Sequence, residues 1–232
     1  MWFLVVVPLL LVLAGVGLST ARVLPAMYGL GLFALGALFG LGVSINILMG
    51  SFSGELQNVC LPIAIALLPL AVGVSIAVSD LRYPRINDVT TDVENPPEFL
   101  AALETRANSG RDMSFPERFG PIIRRAYPYV RSQFLDETPQ QVFRRIVELA
   151  EARSDWEITK SDAEKWTIEG ETSTFFFRFV DDFVFRVSDQ NGKAQVDMRS
   201  KSRDGLVDAG ANAKRIRSFF AELTGKDPSS SS

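Results

Sequence analysis

The sequence predicts a membrane α-helical N-terminal region of three spans, followed by an α+β C-terminal domain built as an antiparallel four-strand meander with packed helices. Three observations predict it. Up to Val78 only Arg22 and Glu55 carry charge, within stretches long and apolar enough for a bilayer. From Asp80 onward charges are frequent, and residues 138–151 and 208–223 repeat apolar side chains at helical spacing. Between those two patterns, apolar and polar residues alternate as they do along half-buried strands.

Three apolar stretches form the expected spans, residues 2–18, 23–49 and 59–78, within a region covering 1–79. The first ends in Ser19-Thr20-Ala21, a small-x-small pattern that a signal peptidase could cut. No Lys or Arg precedes it, so retention as a span is the preferred reading. Gly36 and Gly40 share a helix face in the second span and suit close packing against the third. Pro62 and Pro69 are expected to bend the third span. No Asp, Glu, Lys or Arg lies inside any span, which argues against a proton relay or ion path.

Residues 80–94 read as an extended linker, because Tyr83-Pro84 disfavours helix and Val, Thr and Asp then alternate. The domain proper is expected over 95–225. Asn95-Pro96-Pro97-Glu98 reads as a capped helix start, with the helix reaching Thr105, and 108–128 as irregular chain. Thr138-Pro139-Gln140-Gln141 is a second capping box, opening a helix whose apolar face is Val142, Phe143, Ile146, Leu149 and Ala150. Four strands follow at 156–160, 166–174, 180–188 and 194–203, with a turn at Asn191-Gly192. In the last of them Val196, Met198, Ser200 and Ser202 face one way. Asp197, Arg199, Lys201 and Arg203 face the other, which reads as solvated. A closing helix runs from near Asp208 to Leu223, and the serine-rich tail 226–232 is expected to be disordered.

The composition excludes several chemistries. With 24 basic and 27 acidic residues, the chain has no field to draw in a nucleic-acid backbone. There is no histidine, so the common zinc sites and imidazole catalysis are excluded. Cys60 is the single cysteine and lies in an apolar run, unsuited to disulfide or thiolate chemistry. No cofactor and no metal ligand set is expected.

Two stretches carry a resemblance. One is 179–186, Phe-Val-Asp-Asp-Phe-Val-Phe-Arg; the other runs from Met198 to Ile216 and fits R-S-x-S-R-x-G-x-x-D-x-G-x-N-x-x-R-I at every specified position. Together with Ile86-Asn87-Asp88-Val89-Thr90-Thr91-Asp92 before Asn95-Pro96-Pro97, they resemble domain-of-unknown-function family 1499, in its membrane-anchored branch. The resemblance spans roughly 86–223 and supplies no catalytic residue. It implies an exported domain, periplasmic on a bacterial inner membrane. The positive-inside rule, applied to Arg22, Arg82 and Arg85, gives the alternative of a cytoplasmic-facing domain. Export is the reading preferred here.

Arg199, Arg203, Asp208, Asn212 and Arg215 are the candidate ligand-binding residues. In the functional reading, the arginines and the final helix N-terminus hold an anionic headgroup or carboxylate. In the plainer reading Asp208 caps that helix, an arginine pairs with Asp208, and Gly205 and Gly210 permit the turn. Asp181 and Asp182 are adjacent and so point to opposite strand faces, which disfavours a catalytic carboxylate pair. Ser200 and Ser202 have no histidine to activate them, and Lys201 stands between two arginines. The aromatic run Phe175-Phe176-Phe177 reads as core or cover, with lipid contact as the alternative. The sequence therefore favours a binding or scaffold module at the membrane, its partners the lipid bilayer and an anionic lipid or envelope protein. The alternative is a histidine-free hydrolase or transferase using Asp and Arg side chains.

Overall fold

The computed structural model describes residues 2–50 and 59–225, so the expected disordered tail 226–232 lies outside the described residues. The chain forms two compact units: Met1–Arg82 with Thr174–Phe179, and Tyr83–Ser173 with Val180–Ser232.

The first unit holds α1 (Trp2–Thr20), α2 (Ala26–Gly50) and α3 (Cys60–Asp80). Of the three expected spans, α2 over Ala26–Met49 and α3 over Cys60–Val78 are long and apolar enough to cross a membrane; α1 offers the shorter apolar stretch Leu4–Thr20. Glycine sets the packing. A Cβ on Gly36 would lie 2.8 Å from the Pro8 carbonyl oxygen of α1, and one on Gly40 would lie 2.1 Å from that of Ala66 in α3. The expected approach to α3 is thus made by Gly40, while Gly36 meets α1, because each glycine removes the atom that would hold two backbones apart. Pro69 is interior to α3, whereas Pro62 falls in its first turn, where no intrahelical donor is lost.

The second unit is an α+β domain on a six-stranded sheet, not a four-strand meander. The expected strands are present as β3 (Trp156–Asp162), β4 (Thr167–Ser173), β5 (Val180–Gln190) and β6 (Lys193–Ser202). Two three-residue strands, β1 (Asp88–Thr90) and β2 (Gln133–Leu135), add to the free edge of β6. The order is β1-β6-β5-β4-β3, with β2 also on β6, and every pairing is antiparallel. Residues 88–90, read as linker, are therefore strand. They are too short to show a period, and pairing with 199–201 is what makes them extended. The Asn191-Gly192 turn closes the β5–β6 hairpin with both residues at positive φ, 58° and 83°.

Helix α6 (Pro139–Glu151) begins at the expected capping box: Gln141 N donates to Thr138 Oγ1 and Thr138 N donates to Gln141 Oε1. The helix expected from Asn95 does not form there. Asp92 Oδ1 instead accepts from Glu94 N and Asn95 N in a turn, and α4 (Ala101–Glu104) starts six residues after Asn95. The stretch read as irregular contains α5 (Phe119–Ala126). The last helix, α7 (Ala211–Thr224), starts after Gly210 rather than at Asp208.

Helices α5, α6 and α7 cover one face of the sheet, where Ile168, Phe185 and Met198 lie side by side across β4, β5 and β6. Trp156 stacks on Phe219 of α7 at 5.3 Å and 14°, and Phe219 lies 4.5 Å from Phe185. Aromatic packing of this kind adds to simple burial. The opposite face holds Glu169, Glu171, Asp182, Arg199, Lys201 and Arg203, and it is not solvated as expected. Asp197 is fully buried and Arg199 is 2% exposed. Segment 97–113 lies across that face, and carboxylates on neighbouring strands neutralise the cations.

Candidate functional site

Side chains two apart along β6 share a face, so Arg199, Lys201 and, just past its end, Arg203 form a row of cations. Register sets carboxylates beside them. Asp88 of β1 is paired with Lys201, Asp182 of β5 is also paired with Lys201, and Glu171 of β4 is paired with Asp182.

Arg199 is the most buried of the row. Its Nε donates to Asp88 Oδ1 at 3.0 Å and its Nη2 to Asp88 Oδ2 at 2.8 Å. Nη1 donates to the Pro97 carbonyl at 3.2 Å, and Nη2 also to the Met113 carbonyl at 2.7 Å. The guanidinium lies between the Phe99 and Phe115 rings, 4.8 and 5.6 Å from their centroids. A planar five-donor group can join a carboxylate, two carbonyls and two rings at once; lysine cannot. Lys201 Nζ adds a third contact to Asp88 at 3.1 Å.

Arg203 chelates Asp182, with Nε to Oδ2 at 2.9 Å and Nη2 to Oδ1 at 2.6 Å, and its Nη2 also meets Glu171. Burial pulls down the pKa of Arg203, but Asp182 and Glu171 outweigh that and hold it above its ordinary value. On the helix-covered face, Arg215 donates to Asp181 Oδ2 at 2.6 Å, to Asn212 Oδ1 at 2.6 Å and to Ser200 Oγ at 2.8 Å. The N-cap of α7 is Gly210 rather than Asp208, but from two residues upstream the Asp208 oxygens accept from Gly210 N at 2.9 Å and Asn212 N at 3.1 Å. Burial raises its carboxyl pKa in spite of those bonds.

The five sequence-derived candidates thus divide. Asp208, Asn212 and Arg215 meet on the α7 side, while Arg199 and Arg203 lie on the other face of the sheet. Neither of those two arginines pairs with Asp208, as the plainer reading had it. Their acids come from β1, β4 and β5, because strand register brings those nearer than the helix start. Adjacent Asp181 and Asp182 diverge to Arg215 and Arg203. Among the described residues, no group of three or more Cys, Asp or Glu side chains is placed to hold a metal.

Sequence reasoning missed Asp88 and Glu169. Asp88 lies 111 positions from Arg199, beyond any local spacing rule. Glu169, 4% exposed, accepts from the backbone N of Leu100, Ala101 and Ala102 at 2.9, 2.9 and 3.0 Å. A carboxylate from β4 therefore caps α4. Glu169, Arg199 and Asn108, whose Nδ2 donates to Asp182 Oδ2 at 3.0 Å, strap 97–113 to the sheet by polar bonds.

Beside the strap is a half-open cavity of about 620 Å³. Phe99, Leu100, Leu103, Met113 and Phe115 give it apolar walls, and Arg199 also lines it. Glu94, Glu98, Asp112 and Glu117 contribute carboxylates to its lining, against Arg111, which pairs with Asp204. Its volume falls in the range of small-ligand clefts.

No curated protein gives a significant match to the chain. The family described as Protein of unknown function (DUF1499) matches residues 88–223, from Asp88 on β1 to Leu223 in α7. That stretch holds the Arg199–Asp88 pair, the strap and the α7 cap, and makes up more than half of the sequence, so the chain belongs to the DUF1499 family.

Proposed function

We propose that the domain is a binding module tethered at a membrane surface, and that the cavity walled by Phe99, Leu103, Met113 and Phe115 takes its ligand. The proposal includes all three apolar helices crossing the bilayer, with the domain on the exported side. The observation that carries it is the cavity itself: a space of about 620 Å³ with apolar and charged side chains in its lining, beside a guanidinium held by Asp88 and two rings. A side chain already fixed, as Arg199 is, favours binding because it loses little freedom when the ligand enters.

The ligand has an apolar body and a neutral or cationic end. The anionic ligand expected from the sequence is less well served, because Arg199, Arg203 and Arg215 each hold a carboxylate already. Carboxylates also outnumber cations around the cavity. The alternative of a histidine-free hydrolase or transferase using Asp and Arg side chains is less favoured, because Asp88, Asp181 and Asp182 are each engaged by an arginine. A scaffold role for the same surface remains part of the proposal, with an envelope protein as partner.

The test is native mass spectrometry of the full chain released from detergent, beside a Leu103→Trp variant that fills the cavity. A small molecule or lipid bound to the parent and lost from the variant is expected. The same bound species on both proteins, or none on either, would overturn the cavity as the ligand site.

A further inference from the structure

We propose that the β4–β5 connection, Thr174–Phe179, is an interfacial anchor whose phenylalanines insert into the lipid bilayer beside the apolar helices. An antiparallel hairpin needs only two residues to turn, as Asn191-Gly192 shows in the next one. Here six residues intervene, Thr-Phe-Phe-Phe-Arg-Phe. They form a built loop. Thr174 N donates to the Phe179 carbonyl at 2.9 Å, Phe179 N donates to Thr174 Oγ1 at 3.0 Å, and Arg178 turns the chain at φ 61°.

This loop clusters with α1–α3 in one compact unit. Thr20 Oγ1, at the end of α1, donates to the Phe176 carbonyl at 2.8 Å, and the Phe177 ring meets Phe33 of α2 edge-on at 5.9 Å. Phe33 is seven residues into α2, about 10 Å along its axis from Ala26. If α2 spans the bilayer, Phe177 therefore lies at hydrocarbon depth. Part of the loop's backbone is already paired, as lipid demands: the Phe176 and Phe179 carbonyls both have donors. Phe175 and Phe176 pack edge-to-face at 5.2 Å yet are 73% and 60% exposed. Two adjacent exposed rings are a poor surface for water and a good one for the interface, where aromatic side chains concentrate.

This inference rests on the membrane-spanning reading, and one experiment separates the two. The full chain carrying Cys60→Ser is reconstituted in phosphatidylcholine–phosphatidylglycerol vesicles with single nitroxide labels. Labels go at Phe175→Cys or Phe176→Cys, at Leu38→Cys in mid-α2, and at Gly192→Cys in the β5–β6 turn. Power saturation then compares collisions with oxygen, which partitions into lipid, and with an aqueous nickel chelate. Labels at 175 and 176 are expected to favour oxygen, as at 38, while the label at 192 favours nickel. Either position among the pair decides. Oxygen preference at 38 with nickel preference at 175 and 176 overturns the anchor and leaves the spans standing. Nickel preference at 38 overturns the spanning reading and the anchor with it.

Discussion

Arg199 and Asp88, 111 positions apart, form a two-point ion pair with contacts of 3.0 and 2.8 Å, their side chains only 3% and 0% exposed. The same guanidinium bonds the carbonyls of Pro97 and Met113, so one residue joins β1, β6 and the strap. A charge so buried is tolerable only while its partner is present.

Replacing either partner by alanine is therefore expected to destabilise the domain by about 3–5 kcal/mol, because the other charge stays buried with fewer bonds. The double variant Asp88→Leu, Arg199→Leu is expected to lose much less than the sum of the two single losses. Urea unfolding of the full chain in mild detergent, followed by tryptophan fluorescence, to which Trp156 packed against the core contributes, measures this. Additive losses would show that the pair is not a unit.

Glu169→Ala removes the acceptor for three backbone donors at the start of α4. A loss of roughly 1–3 kcal/mol is expected, concentrated in the strap. Amide hydrogen exchange at Leu100, Ala101 and Ala102 should speed up about 10-fold or more, while Phe183 and Phe185 in the sheet change less. Uniform acceleration over both regions would mean that the strap does not open by itself.

Asp208 gives a pH signature. Burial raises its folded-state pKa, so the native state binds this proton more tightly than the unfolded chain does. Its contribution to stability is thus most favourable in acid and falls as pH rises through the ordinary carboxylate value of about 4. Asp208→Asn cannot titrate. Relative to the parent, the variant is expected to gain stability as pH rises from about 3 to 7, read from paired urea curves at each pH. A difference independent of pH would remove Asp208 as a linked group.

Gly210 sits at φ 75°, and a Cβ there would lie 2.5 Å from Cδ1 of Tyr83. Gly225, at φ 65°, has nothing within 4 Å of its Cβ position. Gly225→Ala should cost only the backbone strain, roughly 1–2 kcal/mol. Gly210→Ala should cost about 1–3 kcal/mol more through the clash, as compared by thermal unfolding. Equal losses would mean that Tyr83 moves aside freely.

The features legible in the sequence are those whose causes are local. The Thr138–Gln141 box, the Asn191-Gly192 turn and the apolar face of α6 each depend on residues within one or two turns of chain. The alternation in β6 likewise separated Arg199 and Arg203 from Ser200 and Ser202. The helix start at Asn95 misled because its capping pattern was sound but its neighbours were not. Asp92 captured the Asn95 N–H, and the cap for α4 came from Glu169, far along the chain.

By itself, then, the sequence determined the apolar helical region, the capped helix α6, the apolar face of α7, the long strands and the family motif, since propensity, periodicity and charge density act over short separations. Only the tertiary structure decided that β1 and β2 extend β6, that its charged face is buried, and which acid each arginine meets. Those outcomes depend on strand register. A strand has two faces and many offsets, and nothing local tells Arg199 that its counter-charge is Asp88 rather than Asp208.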